Sequence, residues 1–148
     1  MSAYQTEGMS FDAISFYRAA HMCSHKGLGV SSDASLMCAA FSIELALKAI
    51  LTENGLKPWG HKIKPLLTML PPQLFQQVEI KLRSHWPDFD VQLDDCNEAF
   101  VNWRYKYESK HPMKINSFFI LELAELCCRL VISKFNIRCT PDIPKVRE

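Results

Sequence analysis

Glycine is scarce in this chain, with only five among 148 residues, so no segment gathers enough of them to cradle a phosphate. No G-x-G-x-x-G, G-x-x-x-x-G-K-[ST], H-E-x-x-H or G-x-S-x-G pattern occurs, which excludes nucleotide hydrolysis of the P-loop type. Charge of one sign is missing too. A formal net charge of +1 gives no strong field, so a duplex-coating protein or a polybasic membrane anchor is not expected. Any nucleic acid must be bound locally. Neither a leader-like apolar run behind a basic start nor about twenty uninterrupted apolar residues can be found, so secretion and membrane spanning are not expected. Strand-like alternation, internal repeats and low-complexity tracts are also lacking.

None of the six cysteines (Cys23, Cys38, Cys96, Cys127, Cys128, Cys139) forms a C-x-x-C pair, and most sit in apolar helical stretches. They read as reduced core thiols of a cytoplasmic protein. His21, Cys23 and His25 alternate like ligands, but helical spacing spreads them over different faces, so no metal is expected. No cofactor is implied. Asp94 and Asp95 read as first-turn residues complementing a helix dipole rather than as a paired-carboxylate site.

What is present is the composition of a globular protein, 48% hydrophobic and 22% charged, in a length suited to one domain spanning residues 1–148. The fold class expected is all-α, an up-and-down bundle of about five helices. Residues 1–9 lack periodicity and read as a loose arm, after which Ser10 caps a helix carrying Phe11, Ile14, Tyr17 and His21. Residues 34–54 are apolar nearly all round and stop at Gly55, which makes them the buried centre. Glu44 and Lys48 interrupt this helix in the favourable i, i+4 order, as a salt-bridged strip. A short helix is expected around Ile63–Leu70, an amphipathic one around Leu74–Leu82, and a loop over His85–Gln92. Leu93, Cys96, Phe100, Trp103 and Tyr107 mark the inward stripe of a helix ending before Pro112. The last helix, about Asn116–Phe135, carries a polar strip of Glu122, Glu125, Arg129 and Ser133 and apolar residues nearly everywhere else. It has two faces to bury, which points to a homodimer. Residues 136–148 read as an irregular tail.

The chemistry concentrates in Trp103-Arg104-Tyr105-Lys106-Tyr107-Glu108-Ser109-Lys110-His111. Seven positions separate Arg104 from His111, close to two helical turns, which would project both from one face about 10 Å apart if the helix persists. Arginine holds phosphate bidentately, and histidine moves protons near neutral pH. Together they suit phosphodiester chemistry. The bland alternative pairs Arg104 with Glu44 or Glu108, makes Trp103 and Tyr107 core, and leaves His111 at a helix end beside Pro112.

The run Ser42-Ile43-Glu44-Leu45-Ala46-Leu47-Lys48-Ala49-Ile50-Leu51, then Gly55, then Gly60-His61 before a leucine-rich short helix, then Trp103-Arg104-Tyr105, resembles the HEPN superfamily of helical domains. The resemblance covers roughly residues 11–135 and rests on the order of these pieces. It implies a bundle that pairs with itself and is often encoded beside a nucleotidyltransferase or within defence and toxin–antitoxin systems. It also implies metal-independent endoribonuclease activity in many members, through Arg, four to six residues, then His. Arg104, with six residues before His111, fits that signature. The RNA 2′-hydroxyl would attack the adjacent phosphate, His111 would exchange protons and Arg104 would stabilise the phosphorane. Glu44, Lys48, Tyr105, Tyr107 and Glu108 would support binding of RNA or a nucleotide. Tyr105, where catalytic members commonly place a small polar residue, instead resembles the non-catalytic branches, and the alternative is then a protein-interaction module partnering a nucleotidyltransferase or another defence or toxin–antitoxin component.

Overall fold

The computed structural model describes residues 2–24, 32–108, 114–137 and 143–147. Seven helices are formed among them: α1 (Ala3–Cys23), α2 (Ser32–Glu53), α3 (Ile63–Thr68), α4 (Pro72–His85), α5 (Phe89–Cys96), α6 (Ala99–Arg104) and α7 (Ser117–Phe135). No strand occurs among the described residues, and the all-α bundle is as expected. The count exceeds five because the short α3 counts as a helix of its own and two short helices, α5 and α6, replace the single helix read through residues 93–107.

Helices α1 and α2 lie along each other and α7 packs on both. Close approach is possible because small residues line the seam, with Ala13, Ala20, Ala39 and Ala46 wholly buried. Ser35 and Ser42 on α2 donate hydroxyl hydrogen bonds across it to the carbonyls of Ala20 and Ala13, at 2.8 and 2.7 Å. A buried hydroxyl is tolerated only with such a partner. By length and composition α2 from Asp33 to Glu53 could cross a membrane, yet 67% of its most apolar window is buried inside the bundle. Gly55, at φ +78°, closes the helix in the left-handed conformation that its missing Cβ permits, while Leu56 N–H bonds back to the Leu51 carbonyl at 2.9 Å.

The loose arm expected over residues 1–9 is a correction: α1 begins at Ala3. Ser2 is its N-cap and forms a capping box with Gln5, each side chain accepting from the other's backbone N–H. Ser10 is not a cap but a buried mid-helix residue, its hydroxyl donating to the Thr6 carbonyl at 2.8 Å. The expected loop over His85–Gln92 shrinks to three residues, because α4 runs to His85 and α5 starts at Phe89. The expected inward stripe also fails beyond Cys96. Asn97 and Glu98 break the helix, Trp103 is half-buried and Tyr107 is 93% exposed.

Helix α7 is the second central element. Twelve of its residues are buried, including Glu122 and Glu125, so the two apolar faces expected to call for a second chain are largely covered within this one. Phe118 alone among its large apolar residues stays exposed. The tail is irregular over residues 143–147 as expected, but it packs: Tyr17 donates its hydroxyl to the Pro144 carbonyl, and Ile143 joins the core. The Tyr17 hydroxyl is pushed well above the usual tyrosine range by burial and by the neighbouring Glu125 charge.

Candidate functional site

Glu44 and Lys48 lie on α2 where the chain before α3 and Phe100 of α6 come close, and Arg104 closes α6. Asn97 builds this corner. Its carbonyl accepts from Ile63 N–H at 2.9 Å and its Oδ1 from Lys64 N–H at 2.7 Å, so the turn after α5 satisfies the open N-terminus of α3. Gly60, at φ +83°, turns the chain immediately before it and delivers His61 to the face of α2.

There His61 Nδ1 lies 2.9 Å from Glu44 Oε1, the same oxygen that takes Lys48 Nζ at 2.7 Å. Glu44 is 6% exposed, and its Oε2 is buried with no hydrogen-bond partner among the described residues. The expected Glu44–Lys48 pair is present. The expected partner Arg104 is not: among the described residues Lys48 and His61 hold the carboxylate. The His61 ring packs 5.2 Å from Phe100, which meets Phe41 edge-on at 4.5 Å, and Phe41 stacks on Phe16 at 5.2 Å. An aromatic line therefore crosses from α1 over α2 to α6. Arg104 stands one helical turn beyond Phe100 on the same side of α6, about 6 Å along the axis.

Arg104 ends α6, and the chain then turns. Lys106 N–H bonds to the Trp103 carbonyl at 3.2 Å and Glu108 N–H to the Tyr105 carbonyl at 3.0 Å. The helix that would have carried register from Arg104 to residue 111 therefore stops, and His111 lies outside the described residues. Arg104 is exposed, with its guanidinium 5.7 Å from the Tyr105 ring centre and no carboxylate in ion-pair contact among the described residues. Tyr105 is 48% and Tyr107 93% exposed, and Glu108 is exposed beside them. Lys106 pairs with Asp33 in the first turn of α2, which ties this turn to the bundle, and that hydrogen bond raises the lysine pKa.

A second polar cluster, which the sequence presented only as a strip on α7, lies between α4, α7 and the tail. Glu122 accepts from Trp86 Nε1 at 2.9 Å and Arg147 Nε at 3.1 Å on one oxygen, and meets His85 Nδ1 with the other. Burial pushes its carboxyl pKa up, but these hydrogen bonds outweigh burial and hold it below the usual range. Glu125 takes Arg129 at 2.9 Å on one oxygen and Val146 N–H at 3.3 Å on the other. His85, Trp86, Val146 and Arg147 had no functional reading, because nothing local in sequence joins them to α7.

Cys23, Cys38, Cys96, Cys127 and Cys128 are unpaired thiols, while Cys139 and His25 lie outside the described residues. Burial pushes Cys96 and Cys128 up to about 12 and Cys127 well above its ordinary value, so these three are poor nucleophiles. Among the described residues no group of three His, Cys, Asp or Glu side chains gathers as metal ligands would. No protein family matches the chain, and no curated protein or solved structure shows significant similarity to it. The fold class is an all-α bundle, and function has to be argued from the side chains.

Proposed function

We propose that this chain is a HEPN-type helical domain that binds single-stranded RNA through the Arg104 face, acting as a homodimer. The observation that supports this reading is the turn at the end of α6, where an exposed arginine with no carboxylate in contact among the described residues is followed by two exposed tyrosines. Arginine offers a fork for a phosphate, and each exposed ring offers a platform for a base, together the sequence-tolerant mode of single-strand binding. Pairing rests on the HEPN resemblance alone, because α7 buries its apolar residues within its own bundle. Cleavage would be the step after binding, with Arg104 stabilising the phosphorane and His111 exchanging protons.

One experiment reads both. Labelled single-stranded RNA is titrated with the purified protein in EDTA, and the products are then resolved on a gel. Arg104→Ala should weaken binding by about 1–3 kcal/mol, the scale of a lost charge-assisted contact, while leaving the melting temperature unchanged. Loss of cleavage with retained binding in His111→Ala would add catalysis to the reading. A folded protein that binds no RNA would overturn it and leave a protein-interaction module.

A further inference from the structure

The α4–α7 side of the molecule carries a cavity that shares no residue with the Arg104 face. Lys81, Arg129, Lys145, Arg147 and His85 stand around about 430 Å³ of space, with Glu122 and Glu125 at its wall. Four permanent cations against two carboxylates leave an excess of two positive charges here, in a chain whose whole formal charge is +1. All four carboxylate oxygens are already engaged by Trp86, His85, Arg147, Arg129 and the Val146 N–H. Lys81 and Lys145 have no carboxylate partner among the described residues. Like charges gathered around a cavity repel unless an anion enters.

A second space of about 280 Å³ adjoins it between α4 and α7, with Lys81, Leu126 and Arg129 lining both. Its apolar wall is aliphatic: Val78, Ile80, Leu126 and Leu130. A cavity of about 150 Å³ suffices for benzene. This one therefore has room for a longer chain, and among the described residues that line it there is no aromatic ring on which a nucleobase could stack. We propose that the groove binds a phosphate monoester of a medium-length aliphatic chain. The chain lies along Val78, Ile80 and Leu130, and the phosphate sits among Lys81, Arg129, Lys145 and Arg147. Arg129 and Arg147 are pre-aimed: Glu125 and the Ile143 carbonyl hold Nε and Nη2 of Arg129 and leave Nη1, and Glu122 holds Nε of Arg147 and leaves its outer N–H groups for the ligand.

Calorimetry and thermal melting with octyl phosphate below its micellar concentration test this. Octyl phosphate should bind and raise the melting temperature, with inorganic phosphate at least about tenfold weaker because it lacks the chain. Lys81→Glu with Lys145→Glu should lower octyl phosphate affinity at least about tenfold, and Ile80→Asp should lower it towards the phosphate level. Neither exposed lysine has an ion-pair partner among the described residues, so the double variant should melt like the parent. Arg104→Ala should leave octyl phosphate binding unchanged. Four results overturn the proposal: no binding of octyl phosphate, equal binding of octyltrimethylammonium, equal or tighter binding of ADP, or an unaffected double variant.

Discussion

Two buried glutamates, Glu44 on α2 and Glu122 on α7, each hold a histidine by its Nδ1, but the two sites are completed differently. Glu122 has donors on both oxygens, drawn from α4 and from the tail. It works as a clasp that joins three segments. Among the described residues Glu44 has both its donors on one oxygen, and Oε2 is left buried without a partner. An orphaned buried oxygen costs part of what the pair contributes. The difference teaches that a buried carboxylate is not one kind of object: Glu122 ties three segments together, and Glu44 ties only His61 to its own helix.

The comparison breaks most visibly at Glu122. Glu122→Ala leaves the Trp86 N–H without its acceptor and frees Arg147 and His85, and should lower stability by about 2–3 kcal/mol in denaturant unfolding. The lower part of the usual range for a broken buried pair applies because His85 and Arg147 are 40% and 47% exposed and so screened by water. The same variant should expose the tail to protease. Glu44→Ala should cost only about 1 kcal/mol, because the variant also removes the orphaned oxygen. Equal losses at the two sites would refute the distinction.

Acid sharpens the same contrast. The Glu122 pKa is lowered in the folded protein, so the unfolded chain takes up the proton first and stability is lost as pH falls from the ordinary glutamate value through the folded one. Above that window its contribution is fully present. Glu122→Gln should flatten the fall in melting temperature below about pH 4.5 relative to the parent. An unchanged slope would mean that other carboxylates set the acid limit.

These two sites also show where the sequence could be read and where it could not. Helix α4 followed from periodicity, while α2 and α7 followed from long segments apolar nearly all round, α2 ending at Gly55. The start of α1 was missed because residues 3–9 have no apolar stripe, although Ser2-x-x-Gln5 carries a capping box that could have marked it. The break between α5 and α6 was hidden because the apolar spacing runs on through Asn97 and Glu98, while the reason for the break is tertiary: Asn97 caps α3. Glu44–Lys48 is a local i, i+4 pair and was legible. His61, His85 and Arg147 were not, because each meets its glutamate only after distant segments pack together.

The smallest effect on the fold is expected at Tyr107, where the functional effect should be plain. The ring is 93% exposed and follows the helix that stops at Arg104, so Tyr107→Ala removes almost no buried surface. Its melting midpoint should stay within about 0.5 kcal/mol of the parent, as for surface substitutions generally. Losing a stacking platform should nevertheless weaken single-stranded RNA binding by about 1–3 kcal/mol, while Tyr107→Phe, which keeps the ring, should restore it. Salt separates this residue from its neighbour. Arg104→Ala should reduce the dependence of affinity on salt concentration, because a phosphate contact is lost, whereas Tyr107→Ala should lower affinity with that dependence unchanged. If Tyr107→Ala binds like the parent while Arg104→Ala is impaired, the arginine contacts phosphate without a base stacked beside it, and the surface reads charge rather than single strands.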